Sequence, residues 1–270
     1  MSRIRIACQT YTWEMLGDEW TGTVDEILDA IAGAGYEGIE ITAGMIGDYY
    51  DRPADFRRAL QRRGLVLAAF AYASPRGFTD AAWRDQELAE AQRAARFAAE
   101  FPGAVFQLGG AASPDREQLG AKLDHAAGFY AEMARRGAAL GLTVVFHPHS
   151  HHGSILESAE EYDHIFRATA DSGLKWNPDT GHIVRGGQDL LACLRAHAGA
   201  IRHVHVKDVD AQGDWQPMGE GGCDFPAVLA VLAEGGYEGW VVAEEESAQA
   251  RQDQVGAIAK NRQYLGRLGC

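Results

Sequence analysis

The chain has 270 residues, with 25 Lys+Arg against 38 Asp+Glu and a formal charge of −13. At 46% hydrophobic and 23% charged residues it can bury a full core and does not read as a disordered tail. The acidic excess argues against broad electrostatic binding of nucleic acid, where Lys and Arg neutralise phosphate.

The longest unbroken apolar run, Leu65 to Ala73, falls far short of the roughly 20 residues a membrane span needs. No apolar leader or small-residue cleavage site follows Met1. Cys8, Cys193, Cys223 and Cys270 are scattered without a CxxC pair. Reduced thiols in a cytoplasmic protein are therefore expected.

In chain order, short apolar and β-branched runs predict strands at Ile4–Gln9, Gly38–Thr42, Leu65–Ala71 and Ala104–Leu108. Four more follow at Leu142–His147, Leu174–Asn177, Ile201–Lys207 and Trp240–Glu244. A helix-closing glycine precedes most of them: Gly35, Gly64, Gly103, Gly141, Gly173, Gly199 and the Gly235-Gly236 pair. Alanine-rich segments with charges at helical spacing lie between, at Val24–Ala34, Ala54–Arg63, Ala81–Glu100, Arg116–Leu140 and Ala159–Ala170. Thr23, Asp80, Ser158 and Asp224 are candidate caps, and Pro226 suits a first helical turn.

Eight strands alternating with helices imply a parallel sheet covered on both faces. No GxGxxG follows the first strand, which disfavours a dinucleotide-binding sheet. The expected architecture is an α/β fold, a single (β/α)8 TIM barrel forming one domain over residues 1–270.

Chemistry in such a barrel belongs at the C-terminal strand ends. Seven of the ten histidines fall there: His147, His149, His151, His152, His182, His203 and His205. His125, His164 and His197 fall in predicted helices, where packing or surface roles are expected. Residues two apart on a strand share a face. His147, Asp179, His205 and Glu244, from four consecutive strands, can therefore point into one mouth. Two imidazoles and two carboxylates suit Mn, Fe, Co or Zn rather than a thiolate-preferring metal. By the same parity Gln9 and Glu40 are inward candidates; Glu246 has the parity for the mouth and Glu245 does not.

The segments Asn177-Pro178-Asp179-Thr180-Gly181-His182, His203-Val204-His205-Val206-Lys207-Asp208, Gly219-Glu220-Gly221 and Gly239-Trp240-Val241-Val242-Ala243-Glu244 resemble the sugar phosphate isomerase/epimerase family, with its xylose isomerase-like TIM barrel. The likeness spans essentially the whole chain, although its specific motifs lie after residue 140. It implies one divalent ion, manganese foremost, with Co, Mg, Zn or Fe as alternatives. Asp179, His205 and Glu244 match the family's ligands. His147 stands where the family carries a second glutamate, and His147-Pro148-His149 looks more like inosose dehydratase than like the epimerases.

The resemblance implies an isomerase or epimerase that removes a proton beside an oxygen of a sugar or polyol, with a dehydratase or lyase acting on an inosose or keto-sugar as the alternative. With one family glutamate replaced, a second acid/base must come from elsewhere: His149, His182, Lys207 or a water. Glu244, His182 and Lys207 are the catalytic candidates, and His149, Trp13 and Arg185 the candidate substrate contacts. Tyr11, Glu14, Met45, Tyr49, Tyr50 and the loop Asp208 to Cys223, with Trp215 and Met218, are expected to shape the pocket.

The endonuclease-like relatives use several metals and extra histidines on early strands, which this chain lacks. A non-catalytic sugar-binding barrel is the remote alternative. The expected partner is a small carbohydrate or cyclitol, with no nucleic acid and no membrane. A homo-oligomer is a family-based expectation.

Overall fold

A computed structural model describes residues 4–151 and 153–269, so His152 and Cys270 lie outside the described residues. The apolar runs become parallel strands β1 (Arg5–Gln9), β2 (Gly38–Thr42), β3 (Val66–Tyr72), β4 (Val105–Gly109), β5 (Thr143–His147), β6 (Lys175–Trp176), β7 (Val204–Val206) and β8 (Trp240–Ala243). They pair in the order β6-β5-β4-β3-β2-β1-β8-β7. Two parallel bridges, Trp176 with Ile201 and Asp179 with His205, join the outer strands and close the ring. This is the expected (β/α)8 TIM barrel.

The closing seam differs from the rest of the ladder. Strands β6 and β7 are shorter than the sequence predicts, because Pro178 has no N–H to donate at this point. Between the two bridges β6 advances by three residues and β7 by four, so one extra residue is accommodated on β7. The Thr180 hydroxyl replaces the missing ladder bonds. It donates to the Lys207 carbonyl (2.7 Å) and accepts the Lys207 N–H (2.9 Å).

Helix boundaries follow local chemistry. Thr23 and Ser158 form capping boxes with Glu26 and Glu161 at the starts of helices Val24–Gly33 and Ala159–Ala168. Asp224 caps helix Phe225–Glu234, where Pro226 occupies the first turn. Gly64 closes its helix at φ 69°, whereas Gly103, at φ 86°, lies in the turn Phe101–Ala104 beyond a helix that ends at Ala99. Asp80 caps a short 3-10 turn, Ala81–Trp83, and the α-helix begins only at Arg84. Gly199 lies inside a second 3-10 turn, Ala198–Ala200.

Candidate active site

Inward parity holds across the barrel. His147 ends β5, while Asp179, just past β6, caps helix Thr180–Arg185 by accepting the His182 N–H (2.8 Å) through Oδ1. His203, His205 and Lys207 come from β7 and its flanks, and Glu244 follows β8. All are buried. Asp179 Oδ2, His205 Nδ1 and Glu244 Oε2 have no hydrogen-bond partner. Yet Nδ1 lies 2.5 Å from Glu244 Oε2 and 3.9 Å from Asp179 Oδ2. Buried polar atoms are ordinarily paired, so converging unpaired donor atoms of this type fit a divalent cation.

The ring nitrogens can be assigned from their partners. His147 Nδ1 faces the Asn177 carbonyl (3.4 Å), which can only accept, so Nδ1 carries the hydrogen and Nε2 is bare. His205 donates from Nε2 to Glu40 Oε2 (2.9 Å), leaving Nδ1 toward the cluster. His182 differs. Its Nδ1 accepts the backbone N–H of Ser150 (3.0 Å), so the hydrogen of a neutral ring sits on Nε2. Ligand atoms of His147, Asp179, His182 and Glu244 lie within 4.8 Å of one another. The Ser150 bond nevertheless argues that His182 is a hydrogen-bond donor rather than a ligand.

Lys207 Nζ donates to Glu244 Oε1 (2.6 Å) and to Glu246, and lies 3.2 Å from His182 Nε2. Both atoms of that last pair are donors. Neither can accept from the other, so their contact is not itself a hydrogen bond.

The electrostatics follow from burial and neighbours. Burial opposes charge on Lys207, but Glu244, Glu246 and Asp179 hold its pKa above the usual lysine value. Burial would raise Glu244, yet Lys207 and His205 keep it well below the usual carboxylate range. Burial and the Glu244 charge push Glu246 up to about 7. His147 and His182 are held neutral, chiefly by burial and then by the cations beside them.

Two glycine and aspartate positions explain motif residues. A side chain at Gly181 would collide with Trp215 and crowd the Lys207 carbonyl. Asp208 accepts N–H groups from Val209, Gly219, Gly221 and Cys223 at 2.8–3.0 Å and so folds the long loop after β7. That loop carries a two-stranded ribbon, Asp208–Val209 with Trp215–Gln216. It places the Trp215 ring 4.6 Å from Lys207 Nζ and 5.0 Å from the His182 ring.

A cavity of about 570 Å³ opens above the cluster, lined among others by Gln9, Tyr11, Glu14, Tyr72, His147, His149, His151, His182, Glu244 and Glu246. Trp13 does not line it. Its ring is buried against Trp20, because the short helix Tyr11–Glu14 turns Tyr11 and Glu14 toward the mouth instead. Arg185 is outside as well, exposed and stacked over Trp215 at 4.7 Å. Met45, Tyr49 and Tyr50 pack against the core rather than the cavity, and Met218 is buried. Glu245 points away, bonded to Asn261 of helix Gln254–Arg267.

Glu40 proves central. It is wholly buried, and it takes hydrogen bonds from His203 (2.7 Å), His205 (2.9 Å) and Gln9 (3.0 Å). Strand parity marked it as inward, but its partners were not legible. Glu246 was marked in the same way, without its link to Lys207. Ser150, which fixes the His182 tautomer through its backbone N–H, carried no sequence signal.

The fold and site define a parallel barrel with a buried imidazole–carboxylate cluster at its C-terminal mouth, of a donor type that suggests a divalent cation. The chain belongs to the xylose isomerase-like TIM barrel family, whose model matches residues 28–268. It is 28% identical to an inosose dehydratase of Geobacillus thermodenitrificans, covering 90% of this chain and 89% of the relative. It is 31% identical to the rhizopine catabolism protein MocC of Rhizobium meliloti, covering 90% and 82%. Among solved structures, the IolI protein with a bound zinc atom superposes with a TM-score of 0.82 at 15% identity, covering 98% of both chains. The 3-keto-D-glucoside 4-epimerase YcjR of E. coli gives 0.78 at 18% identity, covering 99% and 100%.

Proposed function

We propose that the protein is a divalent-metal-dependent enzyme acting on a keto-cyclitol or keto-sugar, and that it eliminates water rather than epimerising a carbon. The metal-dependent, sugar-modifying class is supported by the inosose dehydratase and epimerase relatives together with the unpaired His/Asp/Glu cluster. His147, Asp179, His205 and Glu244 would hold the ion. When bound, such an ion supplies Lewis-acid polarisation of a substrate oxygen.

The observation carrying the elimination reading is the contact network that gathers four proton-transfer groups around Lys207. Glu244, Glu246, Lys207 and His182 are bonded or in contact. The wall from the β3 and β4 ends is Ala71, Tyr72, Ala73 and Gly109 to Ala112, and its one proton-bearing side chain, Tyr72, donates its hydroxyl to Glu90 (2.7 Å). Two-base epimerisation needs a proton carrier on each face of the carbon, and His147 replaces the glutamate that would serve on the second face. Elimination needs a base and a donor on one side. The Glu244/Glu246 pair takes the carbon-bound proton, and His182 Nε2–H with Lys207 donates to the departing hydroxyl oxygen.

Metal content by elemental mass spectrometry comes first: about one ion per wild-type chain, lost in Asp179→Ala. Incubation of the loaded enzyme with an inosose in heavy water then separates the reactions by NMR. Loss of water, abolished in Glu244→Gln or Glu246→Gln, supports elimination. Deuterium incorporated with inversion and no water loss assigns epimerisation. Metal binding that survives in Asp179→Ala removes the proposed centre.

A further inference from the structure

We infer that the cavity takes an uncharged polyol and turns away its phosphate monoester, with Glu14 as the residue that enforces this choice. The inference rests on the metal-assisted proton-transfer reading and deepens it by naming the charge class of the substrate. An anionic ester is ordinarily met by Arg, Lys or free N–H groups at a helix N-terminus.

Among the described residues lining the cavity there is no Lys and no Arg, while Glu14, Glu244 and Glu246 all face it. The nearest ammonium, Lys207, is buried beside His182 and its charge is already offset by Glu244 and Glu246, so it offers one hydrogen bond to the departing oxygen rather than a free cation. Arg185 stands outside, its guanidinium on the Trp215 ring and 3.3 Å from His151 Nδ1. In the short helix that starts nearest the cluster, Thr180–Arg185, the N–H of His182 is already taken by Asp179.

Glu14 gives the exclusion a direction. Thr42 donates its hydroxyl to Glu14 Oε2 (2.7 Å), and the Thr42 oxygen is itself held by the Met45 N–H (3.1 Å). A side chain at Gly44 would come within 3.1 Å of Glu14 Oε1, so this glycine keeps the second oxygen uncovered. An uncovered carboxylate oxygen accepts a hydrogen bond and cannot give one. A sugar hydroxyl can donate to it, whereas a phosphate dianion has only acceptors to offer. The same atom therefore rewards a hydroxyl and repels an ester.

Titration calorimetry on the metal-loaded protein, with an inosose, D-fructose and D-fructose 6-phosphate, tests this. The neutral ligands are expected to bind, and the phosphate ester about 100-fold more weakly than its parent sugar. In Glu14→Gln that gap narrows by about tenfold, with an unchanged melting midpoint showing that the fold is intact. An ester that binds as tightly as the free sugar, or more tightly, overturns the inference. Loss of that binding in Arg185→Ala would name the rim guanidinium as its receptor. A failure to bind any neutral polyol also overturns it. Neutral polyols that bind but exchange no proton in heavy water sink the proposed reaction while the charge class stands.

Discussion

Glu40, at the end of β2, shows how one side chain orders a site it does not line. Burial alone would raise its pKa, but His205 and His203 bring it down to about 2, so it stays ionised in the barrel interior. An ionised oxygen can only accept, which places a hydrogen on Nε2 of His205 and turns Nδ1 toward Asp179 and Glu244. Carboxylates that orient a metal-binding imidazole in this way typically contribute 10–100-fold in affinity. Glu40→Gln keeps the shape but offers an N–H where two histidines also donate. Its metal affinity, measured by chelator competition, is expected to fall by about 10–100-fold. Against burial, Glu40 and Glu244 raise the metal-free His205 to about 10, and ¹H–¹⁵N titration of the metal-free variant should show that pKa lowered. Unchanged affinity together with an unchanged His205 pKa would remove Glu40 from the site.

At the scale of elements, the loops after β3 and β4 back one wall of the cavity and are tied together. Gly77, at φ 76°, sits so close that a side chain would overlap the Ala112 carbonyl. Its own carbonyl accepts the Ala112 N–H (3.0 Å), and Thr79 donates to the Ala112 carbonyl (2.8 Å). Behind them the buried Glu87 holds the loop by accepting from Ser74 (2.5 Å) and the Phe78 N–H (3.0 Å). Gly77→Ala combines an unfavourable φ with a steric collision. It is expected to cost about 1–3 kcal/mol in denaturant unfolding and to raise KM more than it lowers kcat, because the wall moves while the proton carriers stay. An unchanged stability and KM would show that the wall tolerates displacement.

Local pattern placed the starts of most strands to within a residue or two. The exception is β7, expected from Ile201 but beginning at Val204, at the seam where Pro178 and the Thr180 hydroxyl replace the regular ladder. Neither effect has a periodicity.

Across the whole molecule, closure of the barrel determines what is reachable. Cys8, Cys193 and Cys223 are buried and unpaired. Burial pushes the thiols of Cys193 and Cys223 up to about 12 from an ordinary value of 9.0, aided at Cys193 by Asp163 and at Cys223 by Asp208. Iodoacetamide at pH 8 is therefore expected to leave these three thiols largely unmodified until the protein is unfolded, as mass spectrometry of digests would show. For a group whose folded pKa is raised, the unfolded chain ionises first. The associated stability is whole below pH 9 and is lost as pH climbs toward 12. Denaturant unfolding across that interval should show the decline, and rapid labelling of native Cys193 at pH 8 would contradict the burial.

The sequence by itself determined the repeating unit and the inward set. Helix stops, caps and the two-residue strand period are local properties, and they sufficed to bring His147, Asp179, His205 and Glu244 to one end of one barrel. Parity likewise separated Glu246 from Glu245. The tertiary structure alone decided which side chains meet. Glu40 and His205 are 165 residues apart and touch only because the closed ring sets β2 across from β7. The same closure buries Trp13, carries Arg185 outside, and joins Lys207 to Glu244 and Glu246. Periodicity says which way a side chain points, but the distance across a barrel depends on shear, closure and packing, which no local stretch of residues encodes.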